Sequence, residues 1–219
     1  MARQVRFRIV REGRGGVQRV TPQVVDLAFR LTGSDLPTDH GYFLFVAISK
    51  NLAPFHAASG WGVHPVRGTP LGNGTLALSE SSRLVMRLPA DDIRRAIPLA
   101  GKRLDVGGRT VRVGVPEIRP LRAARHLFSR FVTIKGFADA PEEFGDACTR
   151  QLETLAVREA QIGLDKRRVM DVKGYTIVGF SVRLSGLDEG DSVLVQERGL
   201  GGKRKMGAGI FVPIRPKHA

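Results

Sequence analysis

The order of strand and helix patterns most restricts the fold of this 219-residue chain, because the same order occurs in both halves. In the first half, alternating apolar residues predict four strands, at residues 24–31, 75–78, 82–88 and 111–118. Apolar residues at helical spacing predict a helix that begins at Thr38 or Asp39 and ends at Pro54, and a shorter helix at 91–99. The first half therefore has the order β-α-β-β-α-β.

The second half repeats this order. Its strands are predicted at residues 126–134, 167–172, 175–184 and 210–214, with the middle two joined as a hairpin at Lys173-Gly174. Helices are predicted at 141–162 and 187–198, and the longer one starts at Pro141 and ends before Gly163. One face of this longer helix is apolar, with Phe144, Cys148, Leu152, Leu155 and Ile162.

Two β-α-β-β-α-β units in one chain predict an α+β protein made of two tandem ferredoxin-like (RRM-like) domains. The boundary is expected in an arginine-rich segment near residues 120–124. This gives an N-terminal domain at 1–122 and a C-terminal domain at 123–219.

The single cysteine, Cys148, excludes an intramolecular disulfide and favours a reducing compartment, so a cytoplasmic protein is expected. The first residues contain no apolar segment typical of a signal peptide. No run of 18 apolar residues occurs either, so no association with a membrane is expected.

Positive charge indicates the class of partner. The chain has 35 lysines and arginines against 21 acids, a formal net charge of +14. Such a surface attracts polyanions, of which nucleic acid is the commonest, although ribosomal and membrane-surface proteins are basic too. Several cations lie in an N-terminal arm that could contact phosphate, or form a solvated edge strand or a tail: Arg3, Arg6, Arg8, Arg11, Arg14 and Arg19.

A glycine-rich basic loop at residues 199–209 is the most specific local feature. It combines five glycines with three consecutive cations: Gly199, Gly201, Gly202, Gly207 and Gly209, with Lys203, Arg204 and Lys205. Glycine lets a backbone approach another backbone closely, and successive N–H groups in such a loop can point at phosphate oxygens. The loop fits neither nucleotide-binding glycine pattern, because it lies between a predicted helix and the last strand. A flexible solvated loop is the alternative.

This loop, just before the last strand of a second ferredoxin-like domain, resembles the corresponding loop of the CRISPR-associated endoribonucleases that process repeat RNA (pre-crRNA) in type I systems. Residues 36–50, LPTDHGYFLFVAISK, resemble the start of that family's first helix, and residues 64–68, HPVRG, resemble the segment after it. The resemblance covers most of the chain. It implies an endoribonuclease that binds precursor CRISPR RNA and cleaves it within the repeat to give mature guide RNAs.

His40 is the candidate catalytic base. It lies in the first turn of a predicted helix, where the positive end of the helix dipole disfavours an imidazolium and would keep the ring able to accept a proton. A nearby RNA phosphate would favour the imidazolium, so the sequence does not decide the charge of this ring. The alternative is a surface histidine near a helix start, and the family resemblance favours catalysis. His126 is expected to pack or to contact phosphate, and His218 to be solvated in the tail.

The expected reaction is removal by His40 of the ribose 2′-OH proton, followed by attack of that oxygen on the adjacent phosphorus. The resemblance implies a 2′,3′-cyclic phosphate and a 5′-hydroxyl as products. A proton for the leaving oxygen and positive charge for the phosphorane are also needed. Candidates for these roles are Tyr42, Lys50, His56 and His64, which sequence does not rank.

Metal-dependent cleavage is the competing chemistry. A two-metal site needs several converging carboxylates, whereas the acids of this chain are scattered, mostly where first turns of helices favour negative charge. No group of cysteines and histidines has the spacing of a zinc site. The expectation is therefore a reaction without a metal and without a cofactor.

A binding module without chemistry is the alternative function. Residues 173–180, KGYTIVGF, resemble the RNA-recognition-motif signature, but depart from it at Thr176 and Ile177. Tyr175 could stack on a base, and an ordinary central strand is the other reading. A third possibility is a subunit that holds a repeat hairpin in a multiprotein CRISPR effector complex after losing its nuclease activity.

The expected partner is repeat RNA in the form of a stem-loop. Aromatic residues make up only 6% of the chain, which argues against extended stacking on single strands and favours recognition of shape and phosphate. Arg167 and Arg168, beside the predicted hairpin with Lys166, are expected to bind RNA together with the glycine-rich loop. A solvated charged face is the alternative for these three cations.

Overall fold

The computed structural model describes residues 23–137 and 140–214. The basic N-terminal arm and His218 lie outside them. The helices are α1 (Gly41–Asn51), α2 (Pro54–Ala57), α3 (Ile93–Ala96), α4 (Pro141–Thr154) and α5 (Glu189–Arg198). The strands are β1 (Val24–Thr32), β2 (Asp35–Pro37), β3 (Gly62–Val63), β4 (Thr69–Pro70), β5 (Thr75–Ala77), β6 (Arg83–Pro89), β7 (Arg103–Val106), β8 (Arg109–Pro120), β9 (His126–Val132), β10 (Gln161–Val172), β11 (Tyr175–Ser185) and β12 (Val212–Pro213).

The first half contains an antiparallel sheet with the strand order β3-β6-β1-β8-β7. Its two central strands, β1 and β6, are the first and third of a β-α-β-β-α-β unit, and β3 and β8 flank them. This is the ferredoxin-like arrangement. Alternation of buried residues along β1 and β6 produces this pairing, since one face of each strand packs on the helices.

Several details of this half differ from the sequence prediction. The strand at Thr75–Ala77 does not join the main sheet but pairs with β2 and β4 in a separate three-stranded sheet. The second strand of the ferredoxin-like unit is instead Gly62–Val63, which is too short to show a periodic pattern. In addition, Arg103–Val106 forms an edge strand that pairs with β8, and its Leu104 and Val106 face the core.

The second half contains a four-stranded antiparallel sheet in the order β10-β11-β9-β12, again the ferredoxin-like arrangement. The prediction of a helix over 141–162 is wrong beyond Thr154. The chain turns at Ala156, whose φ is +61°, and Ile162 lies on β10 opposite Leu184. Leu155 and Ile162 continue the helical spacing, but Leu155 is the C-cap of α4, and pairing with β11 makes the segment that contains Ile162 a strand.

Buried side chains form two main hydrophobic clusters, one from residues 27–113 and one from residues 127–211. Phe144, Cys148 and Leu152 of α4 belong to the second, as the apolar stripe predicts. Burial raises the pKa of the Cys148 thiol to about 12. The expected domain boundary, 122/123, falls between the clusters, and the division itself stays a prediction. Among the described residues, no helix is long and apolar enough to cross a membrane.

Candidate functional site

His40 lies immediately before α1, which begins at Gly41 rather than at Thr38 or Asp39. Only 3% of the residue is exposed. Its Nδ1 lies 2.9 Å from the carbonyl oxygen of Pro37, and its Nε2 accepts a hydrogen bond of 3.0 Å from the backbone N–H of Val66. Since Nε2 accepts, Nδ1 carries the proton and the imidazole is neutral. Burial, helped by the charge of Arg130, lowers the pKa of His40 and favours this neutral form.

A cavity of about 480 Å³ opens beside His40, between the two halves of the chain. From the first half it is lined by residues 38–41 and 63–65. From the second half it is lined by residues 130–131, 167–170 and 206–207. The site thus combines the start of α1 with strands β9 and β10 of the second sheet.

Three arginines line this cavity and give it positive charge: Arg130 on β9, and Arg167 and Arg168 on β10. The Nε of Arg168 donates to Oγ of Ser181 over 2.7 Å, which holds its guanidinium in place. Burial lowers the pKa of Arg130, and the charge of Arg168 lowers it further. Two neighbouring guanidinium groups in a partly buried site form a favourable environment for a phosphate.

Asp39 is the only acid among the described residues that line the cavity. Its Oδ2 accepts a hydrogen bond of 2.7 Å from the backbone N–H of Asp171 at the end of β10. This bond joins the start of α1 to the hairpin of the second half. The negative charge of the Asp39 carboxylate raises the pKa of Arg130 and so partly offsets the effects of burial and of Arg168.

Tyr42 and Lys50 are not brought to the cavity wall. The half-buried ring of Tyr42 packs against that of Phe43, with centroids 6.1 Å apart. Lys50 is exposed in the last turn of α1, which places its backbone about 15 Å from that of His40 at the rise of an α-helix.

The other two histidines proposed from sequence take different positions. His56 is exposed on α2, and its carbonyl oxygen accepts a hydrogen bond of 2.7 Å from Nζ of Lys205. His64 lines the cavity, but its Nε2 lies 3.1 Å from Oδ1 of Asp26. Burial lowers the pKa of His64 despite the nearby carboxylate, so a neutral ring donates to Asp26.

Arg87 on β6 connects this part of the first sheet to the second half. Its Nε and Nη2 donate to the two carboxylate oxygens of Asp26 over 2.8 and 2.9 Å. Its Nη1 donates to the carbonyl oxygens of Gln196 and Phe211 over 2.9 and 2.7 Å. Burial raises the pKa of Asp26, but the hydrogen bonds and charges of His64 and Arg87 outweigh it and hold that pKa below its ordinary value.

The glycine-rich loop is closely packed, and most of its backbone donors point inward. The N–H groups of Gly201, Gly202 and Gly209 donate to Oε1 of Gln151 and to the carbonyl oxygens of Thr133 and Phe131. The expectation that successive N–H groups of this loop point at phosphate is therefore wrong for these three. A Cβ on Gly199, Gly201 or Gly209 would lie 2.2–2.3 Å from a carbonyl oxygen, so these glycines permit close packing.

The three consecutive cations of the loop have different surroundings. Lys203 is exposed. Arg204 donates from Nη2 to the carbonyl oxygen of Glu197, and burial, with the charges of Arg87 and Arg198, lowers its pKa to about 10. Lys205 binds the end of α2 and lies 5.7 Å from the ring centroid of Phe55. Met206 and Gly207 are the part of the loop that reaches the cavity wall.

Comparison with known proteins identifies the family. The Cas6 Crispr family model matches residues 25–216. The chain belongs to the Cas6 family. The CRISPR-associated endonuclease Cas6 of Myxococcus xanthus (strain DK1622) is 37% identical over 196 residues, which cover 86% of this chain and 81% of that protein.

Solved structures support the same fold for this Cas6 family member. A CRISPR associated protein Cas6 covers 89% of this chain and 100% of its own length, with a TM-score of 0.61 at 14% identity. A Cas6-related protein from Pyrococcus furiosus covers 90% of this chain and 100% of its own, with a TM-score of 0.58 at 15% identity. An RAMP protein described as binding different RNA substrates covers 88% and 100%, with a TM-score of 0.61 at 17% identity.

Sequence reasoning missed Arg130 and the carboxylate of Asp39 in this Cas6 site. The one signal for Arg130 is a cation between buried apolar residues of a predicted strand, HLFSRFV. Within residues 23–137 and 140–214, no group of three or more His, Cys, Asp or Glu side chains is arranged as a metal site.

Proposed function

We propose that this protein is a metal-independent endoribonuclease that binds precursor CRISPR RNA and cuts it within the repeat to give mature guide RNAs. Membership of the Cas6 family and the endonuclease name of the Myxococcus xanthus relative support this proposal. The observation that carries it is a neutral histidine, His40, in a cavity that three arginines also line. Base and positive charge are the two requirements of cleavage by a ribose 2′-OH.

In the proposed reaction, Nε2 of His40 takes the proton of the 2′-OH, and the 2′-oxygen forms a bond to the adjacent phosphorus. The bond between phosphorus and the 5′-oxygen breaks, and the 5′-oxygen takes a proton from water. The hydroxide that this leaves is neutralised by the proton on His40, which returns the histidine to its neutral form. The products are a 2′,3′-cyclic phosphate and a 5′-hydroxyl. Arg130 and Arg168 offset the negative charge of the phosphorane. No proton transfer is assigned to Tyr42 or Lys50, because neither lines the cavity.

His40 must exchange one hydrogen bond before it can act. The lone pair of Nε2 that would accept the 2′-OH proton accepts the N–H of Val66 in the free protein. RNA binding would therefore move residues 64–66, or the ring, by enough to release this bond. Rearrangement of a catalytic hydrogen bond on formation of the substrate complex is common in enzymes.

The RNA would lie across both halves of the chain. Arg167 and Arg168 flank the cavity, and Lys203 presents the exposed charge of the glycine-rich loop, whose glycines hold it in shape. With His40 in an N-terminal domain (1–122) and this basic surface in a C-terminal domain (123–219), the substrate would bridge the two. A repeat stem-loop in the cytoplasm is the proposed substrate, and a multiprotein CRISPR effector complex is a proposed destination of the product.

A second function is favoured by one observation. Both ring nitrogens of His40 have protein partners, as in a histidine whose role is structural. In that case the protein would hold a repeat hairpin without cutting it.

One experiment separates the two. Purified protein is incubated in EDTA with a labelled repeat stem-loop RNA of its own CRISPR array, and wild type is compared with His40→Ala. Single-site cleavage by wild type only, with binding retained by both, supports the proposal. An RNA with a 2′-deoxy nucleotide at the cut serves as the matched substrate control. Cleavage of this RNA would exclude the mechanism, because it lacks the attacking 2′-OH. Tight binding without cleavage by either protein would establish the binding module.

A further inference from the structure

Tyr175 is the most exposed aromatic side chain among the described residues with large exposed apolar groups, at 75% exposure. It is the first residue of β11, at the tip of the hairpin formed with β10. The chain contains only two tyrosines. Covering an exposed aromatic ring at a hairpin tip with a partner is energetically favourable, because the apolar surface of the ring is removed from water.

The hairpin holds Tyr175 in a defined position. Its two-residue turn, Lys173-Gly174, has φ values of +56° and +80°, which match the right-handed twist of the flanking strands. The N–H of Gly174 donates to Oδ1 of Asp171 over 3.1 Å, and Val172 pairs with Tyr175. The ring therefore projects from a closed turn, which reduces the conformational entropy that binding would cost.

The face of the hairpin that carries Tyr175 contributes residues to the cavity. Residues opposite each other in an antiparallel pair share a face, so Tyr175 is on the side of Val172. Alternation along β10 places Met170 and Arg168 on this side as well, and both line the cavity. Val172 lies two positions beyond Met170 along the strand, a distance of about 7 Å.

We propose that Tyr175 is a stacking platform for the base of an unpaired nucleotide that flanks the cut. This inference rests on the proposed function, since it places the scissile phosphate in the cavity beside His40. The chain would then run from the cavity along β10 to the hairpin tip. A nucleotide fits this surface better than a protein does, because the cations Arg130, Arg168 and Lys173 surround the path.

Stacking predicts a particular chemical dependence. It uses the face of the ring and not the hydroxyl, so phenylalanine should replace Tyr175 and alanine should not. Every base has a face to stack, so the contact tolerates changes of base but not its removal.

The test uses a repeat stem-loop RNA with its flanking nucleotides, carrying a 2′-deoxy nucleotide at the cut to prevent cleavage. 2-Aminopurine is placed at each flanking position in turn. We expect wild type to quench its fluorescence at one position near the cut. Tyr175→Ala should abolish that quenching and weaken binding roughly tenfold, within the range known for one stacked base. Tyr175→Phe should behave as wild type.

Thr176→Ala is the matched control, because Thr176 is exposed next to Tyr175 but points to the opposite face of the hairpin. It should change neither fluorescence nor affinity. Equal affinity and equal quenching in wild type and Tyr175→Ala would overturn the proposal. Cleavage of the all-ribose RNA by wild type is measured separately, so failure of the stacking platform and failure of the nuclease function give different results.

Discussion

The backbone N–H of Val66 donates a hydrogen bond of 3.0 Å to Nε2 of His40. This bond joins the segment after β3 to the start of α1, across the wall of the cavity. It occupies the lone pair of Nε2 that a catalytic base would use. The proposed mechanism therefore requires a measurable change at Val66.

We expect the amide resonance of Val66 to shift when RNA binds. The ligand is a repeat RNA in which a methylene replaces the bridging 5′-oxygen at the cut, so that the 2′-OH is present but cleavage is blocked. The amide proton of Val66 should move to the frequency of a weaker hydrogen bond in the NMR spectrum. The amide of Leu78, which donates to Ser34 in the small sheet, is the internal control. An unchanged Val66 amide in the saturated complex would identify His40 as structural.

The free energy of unfolding should decrease as the pH is lowered, because of His40. Its pKa is lowered in the folded protein, mainly by burial, so protonation favours the unfolded chain. The contribution of the neutral ring is fully present above the ordinary pKa of about 6.5 and is lost as the pH falls from there towards the folded-state pKa. Between these two values the free energy of unfolding should decrease by about 1.4 kcal/mol per pH unit for this one group.

His40→Gln removes the titrating group and keeps a polar side chain, so chemical denaturation of both proteins from pH 7.5 to 5 measures the effect. The variant should show a shallower dependence on pH. His64 contributes in the same direction in both proteins, because its pKa is lowered too. Identical slopes would mean that the pKa of His40 is not lowered.

Loss of the Arg87 side chain should lower the free energy of unfolding far more than loss of an exposed ion pair. Arg87→Met leaves the mostly buried carboxylate of Asp26 with His64 alone and removes the donor to two carbonyl oxygens of the second half. Loss of one partner of a buried pair costs about 3–5 kcal/mol. The matched control is Arg183→Ala, which breaks an exposed pair with Asp165 and should cost at most about 1 kcal/mol. Urea unfolding gives both values, and similar losses would contradict the role of Arg87.

Two adjacent glycines of the loop should respond differently to the same substitution. Gly201 has a φ of +72°, and a Cβ there would lie 2.3 Å from the carbonyl oxygen of Thr133. Gly201→Ala should therefore cost more than about 1 kcal/mol of stability. A Cβ on Gly202 would enter open space, so Gly202→Ala should leave the midpoint of thermal unfolding within about a degree. A loop that is merely flexible would tolerate both substitutions.

Much of the fold could be predicted from the sequence, because long strands with one buried face show a clear alternation of apolar and polar residues. The hairpin at Lys173-Gly174 and the strand at Val24–Thr32 are confirmed for this reason. Gly62–Val63 was not predictable, since two residues carry no period and only pairing with β6 makes them a strand. The end of α4 was misjudged because helical spacing continued by coincidence into β10.

The candidate site was less predictable, because its chemistry comes from contacts between distant segments. The sequence places His40 at a helix start, but its burial and its bond to Val66 arise only when residues 63–66 pack against it. Arg130 is brought to the cavity by strand order in the second sheet. The partners of Arg87 at Gln196 and Phe211 lie more than 100 positions away, where no local pattern could indicate them.

Arg130 should contribute to the chemical step more than to RNA binding. Arg130 lines the same cavity as His40, where the phosphorane would form, and a single donor to such a charge is worth roughly 10²–10³ in rate. Arg130→Gln should therefore slow single-turnover cleavage at saturating protein by about that factor, while Kd for the deoxy RNA changes by less than about tenfold. Arg130→Lys should restore part of the rate, because the charge returns without the planar fork. The control is Arg125→Gln, an exposed arginine outside the cavity, which should leave the rate unchanged. A rate for Arg130→Gln within threefold of wild type would place the phosphate elsewhere and leave Arg130 with a binding role at most.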